Sequence, residues 1–144
     1  MMRALVFAFA MAVGVSAGAA CQGAKPSSDF HGVKLGMTAG DVRQRFQGPK
    51  GTWKATPGEE MLLDYSPDQG TVPTVRFEFH SGMLVAIRAT LDPHDPSASL
   101  LPREVTAGAV IAREHDGPHV KLTWLSRDCP THKDEADRLV KGAP

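Results

Sequence analysis

The stretch from Val75 to Leu91 constrains this chain more than any other. Val75, Phe77 and Phe79 alternate with Arg76, Glu78 and His80. Ser81-Gly82 then supplies a two-residue turn, and Met83, Val85, Ile87, Ala89 and Leu91 resume the alternation with Arg88 and Thr90 opposite. Successive side chains of an extended strand point to opposite faces, so this pattern predicts two half-buried strands joined in an antiparallel hairpin. The fold must therefore contain a sheet with an apolar face to cover.

Weaker signals lie on either side. Met61-Leu62-Leu63-Asp64-Tyr65 is a short apolar run ended by the turn cluster Ser66-Pro67-Asp68-Gln69-Gly70, which predicts a third strand. Ala109–Ala112 and Val120–Leu125 flank His115-Asp116-Gly117-Pro118 and predict a second hairpin. Residues 50–60 are polar apart from Trp53 and read as a loop or weak strand. The segment from Asp92 to Pro102 is rich in proline and reads as a linker within the domain. Two helices are expected. Thr38 and Asp41 have a capping-box-like spacing ahead of Val42 and Phe46, and Gly48-Pro49 stops that helix. Thr131 and Asp134 repeat the spacing ahead of Ala136, Leu139 and Val140, with Gly142 as the stop. The expected fold class is α+β, with about five antiparallel strands and two helices packed on one face.

The first twenty residues are of another kind. Met1-Met2-Arg3 is followed by an uncharged stretch to Ala20, and 16 of these 20 residues are apolar. A charged start, an apolar middle and a small-residue end make a secretory signal peptide, expected over 1–20. Gly18-Ala19-Ala20-Cys21 resembles a bacterial lipobox, which would make Cys21 an acylated first residue. Ala17-Gly18-Ala19 also fits ordinary signal peptidase, so plain secretion stays open. Residues 21–31 read as a flexible tether, and 32–144 as a single domain.

The remaining chemistry is sparse. Lys+Arg and Asp+Glu number 16 each, and this balance leaves no basic stripe for a nucleic-acid partner. There are two cysteines, Cys21 and Cys129, and no CxxC pair. Without a lipid on Cys21, the two could close a long disulfide loop, valued at about 4–5 kcal/mol by the chain-entropy model. His115 and His119 straddle a tight turn, and with Cys129 and His132 they could form a zinc site only if the hairpin folded over the last helix. Solvated turn histidines beside a structural thiol are the preferred reading, so no metal and no cofactor are expected. Cys129 with His132 also resembles a thiolate–imidazole pair, but no orienting group or oxyanion element accompanies it. Glu59, Glu60, Asp64 and Asp68 read as a solvated strand edge. Trp53, Tyr65 and Trp124 are candidates for an aromatic interaction surface, with core packing the alternative, favoured for Trp124 and evenly weighed for Trp53.

One resemblance covers residues 32–91. Leu35-Gly36-Met37-Thr38, the helix from Ala39-Gly40-Asp41-Val42 to Phe46, Gly48-Pro49, the strand Leu62–Tyr65 and the hairpin around Phe77-Glu78-Phe79-His80-Ser81-Gly82-Met83-Leu84 resemble the SmpA/OmlA (BamE) lipoproteins of the BLIP-like superfamily. In this element Gly36 relaxes the backbone, Met37 packs, Thr38 caps and Val42 sits one turn inside. The resemblance implies a BLIP-like fold and a small lipoprotein on the periplasmic face of the outer membrane, serving β-barrel assembly. It supplies no counterpart of that family's membrane-proximal Q-G-N element and no match for the last fifty residues. The resulting expectation is a non-enzymatic envelope lipoprotein that binds a protein partner, with no nucleic acid and no small-molecule substrate. The alternatives are a soluble periplasmic or secreted thiol- or metal-binding protein and a BLIP-like inhibitor of an envelope enzyme.

Overall fold

The computed structural model describes residues 29–68, 75–92, 94 and 104–142. The signal segment, Cys21 and the tether as far as residue 28 lie outside these residues, as does most of the proline-rich linker. Seven strands form one sheet. They are β1 (Gly51–Thr56), β2 (Glu60–Pro67), β3 (Val75–His80), β4 (Met83–Leu91), β5 (Glu104–Val105), β6 (Ala109–Asp116) and β7 (His119–Ser126). The order across the sheet is β1-β2-β3-β4-β7-β6-β5, and every pairing is antiparallel. Two short helices, α1 (Ala39–Arg45) and α2 (Lys133–Lys141), accompany it, the second preceded by a 3-10 turn at Pro130–His132.

This architecture overturns the expected α+β class with five strands and both helices on one face. The molecule is mostly antiparallel sheet, with seven strands. The first extra strand, β1, comes from the polar stretch after Lys50. It is an edge strand, so one face and one side meet water, and a mainly polar sequence suffices. Only Trp53 brings a large side chain inward, and it pairs with Tyr65 across the ladder. The second, β5, is two residues long and carries no readable periodicity.

The helices lie on opposite faces. One face buries Leu63, Tyr65, Phe77, Phe79, Ile87, Ile111, Leu122 and Trp124 beneath the segment Phe30–Leu35 and Val42 of α1. The other buries Ala86, Val110, Ala112 and Leu125 beneath Ala136 and Leu139 of α2. The sequence holds the cause. Leu84-Val85-Ala86-Ile87, Ala109-Val110-Ile111-Ala112 and Leu122-Thr123-Trp124-Leu125 are continuous apolar or near-apolar runs, and such strands are buried on both sides. A sheet whose middle strands are apolar on both faces needs a cover on each.

The packed domain includes Phe30, which is buried against Trp124 with ring centroids 5.1 Å apart. The lead-in then docks on the sheet. Gly36 N–H donates to the Leu84 carbonyl and Leu84 N–H donates to the Met37 carbonyl, both at 2.8 Å. These groups of β4 are accessible because β7 pairs with β4 only from Ala86 onward. A β-bulge leaves Val85 as the extra residue between the pairs Glu78–Ala86 and Phe79–Leu84. Thr38 Oγ1 then accepts from Asp41 N–H, and the Asp41 carboxylate accepts from Thr38 N–H, each at 3.2 Å, completing a capping box. Gly36 sits at φ 88°, a left-handed conformation that a side chain resists. Gly36→Ala is expected to lower the unfolding free energy by about 1–2 kcal/mol, measured by denaturant titration, with α1 losing hydrogen-exchange protection first.

Candidate functional site

Strands β3 and β7 are both antiparallel to β4, so they run in the same direction and end on the same side of the sheet. His80 is the last residue of β3. Three residues beyond the end of β7, Cys129 opens the 3-10 turn that closes at His132. The topology therefore carries His80, Cys129 and His132 to one place. Each can offer a ligand atom within 4.8 Å of the other two. Cys129 Sγ lies 3.6 Å from His80 Nδ1, and the two imidazole centroids are 5.3 Å apart. Cys129 is fully buried and His132 is 8% exposed.

Carboxylates stand behind both imidazoles. Glu60, opposite His80 in the β2–β3 ladder, places Oε1 3.0 Å from His80 Nε2. Glu78, two residues before His80 and on the same face, places Oε2 3.5 Å from His132 Nε2. The first distance is that of a hydrogen bond and the second is long for one, yet neither pair has hydrogen-bond alignment. Both Nε2 atoms are buried with no hydrogen-bond partner among the described residues. Arg88 joins this group to α2. Its Nε donates to Glu78 at 2.7 Å, and its Nη1 and Nη2 donate to Glu135 at 2.6 and 2.8 Å.

Electrostatics follows from this enclosure. Burial pushes the His132 pKa below its ordinary value, outweighing the nearby Glu78 carboxylate. The imidazole is accordingly neutral near pH 7, the form that ligates metals. The hydrogen bonds from Arg88 hold the Glu135 carboxyl below its usual range, and those to Glu135 hold the guanidinium protonated. Carboxylates of Glu60, Glu78 and Glu135 outnumber the single guanidinium of Arg88 around the three ligand atoms.

The other sequence candidates fall elsewhere. His115 and His119 flank the exposed turn between β6 and β7. They sit at the far end of the eight-residue strand β7 from Cys129, on the order of 20 Å away at strand rise. The four-ligand zinc arrangement, which the sequence reading did not favour, is therefore not assembled. Tyr65 (4% exposed) and Trp124 (1%) are core residues and form no exposed patch. Trp53 is half-buried against Tyr65 and Phe77. Asp64 is held by Arg76 at 2.8 Å, and Glu60 faces His80, so the acids of β2 belong to cross-strand pairs on an interior strand. Gly36, Met37, Thr38 and Val42 build the docking of α1, and Cys21 lies outside the described residues. His80 was missed because the alternation of β3 assigns it only to a polar face, and nothing local links that face to Cys129.

Comparison of the chain with protein-family models, with curated proteins and with solved structures finds no match. The resemblance to SmpA/OmlA thus rests on the residues quoted for it alone. Among the described residues no helix is long and apolar enough to cross a membrane.

The Arg88–Glu135 pair links α2 to the sheet and gives an acid-sensitive joint. A carboxyl whose folded pKa is depressed adds stability above its unfolded value near 4.5, and this is lost as pH falls through the lower folded value. Glu135→Gln is expected to cost about 2 kcal/mol at pH 7, the scale of a hydrogen-bonded charge. The deficit should shrink below pH 4, as read from denaturant unfolding across pH.

Proposed function

We propose that the chain is a cation-binding domain of the cell envelope, in which His80, Cys129 and His132 hold a borderline divalent ion such as Zn2+. The observation that carries this reading is the convergence of one sulfur and two imidazole donors from distant segments within 4.8 Å. Tetrahedral zinc, with Zn–N about 2.0–2.1 Å and Zn–S about 2.3 Å, sets its donors roughly 3.3–3.8 Å apart. The Cys129–His80 distance of 3.6 Å lies in that range, and closure of the other two separations, each within 4.8 Å, asks for at most about 1.5 Å of contraction.

Three further features support it. Among the described residues His132 Nε2 is buried without a hydrogen-bond partner, and an unsatisfied buried polar atom is costly. The surrounding carboxylates favour a cation. Thiolate and imidazole suit Zn2+ and disfavour Mg2+ or Ca2+, which prefer oxygen. Full burial of Cys129 suits a small ion better than a group-transfer substrate, so the role is binding rather than catalysis. Delivery by the segment 1–20 would place the site in the periplasm, lipid-anchored if Cys21 is acylated and soluble if it is not.

Zinc titration of the chelator-stripped protein tests this. One equivalent should bind and raise the unfolding midpoint. Cys129→Ser and His132→Ala should each lose binding by at least an order of magnitude, while His115→Gln binds as wild type. Absence of saturable uptake at one equivalent would remove the reading.

A second reading follows from the resemblance and is compatible with the first. In it the chain is a lipid-anchored module on the periplasmic side of the outer membrane, meeting a protein partner in outer-membrane protein assembly or envelope integrity. The docked Gly36-Met37-Thr38 element, the most specific part of the resemblance, favours it. Trp53, on the open edge strand, is the one candidate aromatic that reaches the surface. A photocrosslinker at Lys54 in the native host should yield a reproducible adduct with one envelope protein. No adduct above that of a crosslinker at Lys121 would count against this second role.

A further inference from the structure

We infer that Glu60 is a positioning residue for the ion site, orienting His80 so that Nδ1 is its ligand atom. This inference rests on the ion-binding reading above and goes beyond its ligand set. His80 turns Nδ1 toward Cys129 Sγ at 3.6 Å and Nε2 toward Glu60 Oε1 at 3.0 Å. A neutral imidazole carries one proton, and its position decides which nitrogen can bind a metal. A carboxylate beside Nε2 favours the proton there. That leaves the Nδ1 lone pair directed at the sulfur, which is where an ion shared with Cys129 would sit.

The arrangement is that of a carboxylate–histidine–metal relay, in which an outer carboxylate fixes tautomer and ring orientation and makes the ligand more basic. Glu60 is not aligned with the Nε2–H axis, but its side chain is 46% exposed and can rotate into line without disturbing packed neighbours. The ladder supplies the rest of the positioning, because Glu60 and His80 are direct partners across β2 and β3. Glu78 stands in a parallel relation to His132, with the difference that Arg88 already grips it. Among the described residues Glu60 has no such competing cation and is the group available to follow its histidine as the ion binds.

Glu60→Ala separates this role from a structural one, since the side chain is nearly half exposed. Zinc affinity of the full-length protein, measured by competition with a chromophoric chelator, should fall 10- to 100-fold in Glu60→Ala. The unfolding midpoint of the zinc-free protein should stay at the wild-type value. Nitrogen-15 shifts of His80 in zinc-free protein should report the Nε2–H tautomer in wild type and a mixture in Glu60→Ala, a change that loss of packing alone would not produce. Affinity within twofold of wild type in Glu60→Ala, with Cys129→Ser abolishing binding, would overturn the role of Glu60 and leave the ion site standing. A fall in the zinc-free midpoint that accounts for the affinity loss, with the tautomer unchanged, would overturn it as a structural effect. Wild-type affinity in Cys129→Ser would overturn the ion site and the role of Glu60 together.

Discussion

The ladder between β4 and β7, from Ala86–Leu125 to Leu91–Val120, joins two meanders that are otherwise separate in the chain. β1 to β4 form one and β5 to β7 the other. Neither half closes a core alone. Ile87 and Ala89 of β4 share the aromatic face with Leu122 and Trp124 of β7, and Ala86 shares the opposite face with Leu125. Once this ladder forms, both faces of the central sheet are apolar and both demand a cover. The N-terminal segment with α1 supplies one and α2 the other. At roughly 25 cal/mol per Å2 of apolar surface removed from water, these two covers matter more to stability than any single polar contact.

The polar seam depends on the same ladder. Its pairing makes β3 and β7 run in one direction, so the residues that follow them arrive at the same end of the sheet. Glu78, Arg88 and Glu135 form a charged chain from β3 through β4 to α2, and His80, Cys129 and His132 gather beside it. Removing two charges from water is costly unless they meet each other. The Arg88 guanidinium meets a carboxylate on each side, which makes it a tie between sheet and helix. The imidazoles are left with unmatched buried nitrogens. That contrast between satisfied charges and unsatisfied imidazoles marks the three-residue cluster as the chemically distinctive part of the domain.

Several elements were legible in the chain because their causes are local. The Val75–Leu91 hairpin follows from alternation and a Ser-Gly turn. Ser81 and Gly82 both take positive φ, as tight hairpins require. The first helix follows from Thr38, Asp41 and Val42, and the last from Ala136, Leu139 and Gly142, although the capping spacing of Thr131 and Asp134 is not used: Thr131 lies in the 3-10 turn and the helix starts at Lys133 with no side-chain cap. Gly142 closes that helix in the left-handed conformation at φ 63°. Strand β1 was legible only as one of two readings, a loop or a weak strand, because an edge strand is held by its neighbour's backbone and needs few apolar side chains. The split of the helices between two faces could have been anticipated from the continuous apolar runs of β4, β6 and β7. Reading β4 as half-buried hid it.

The sequence by itself determined where most of the extended and helical segments form, which residues turn the chain, and that six histidines and two cysteines are present. These are matters of periodicity, capping and turn chemistry within a few residues. Only the tertiary structure decided the partners. It put His115 and His119 at the far end of β7, brought His80 and Glu60 to Cys129 and His132, and moved Tyr65 and Trp124 into the core. Those outcomes depend on strand order and direction. The β4–β7 pairing that fixes both spans some thirty residues of sequence, and no local pattern specifies it.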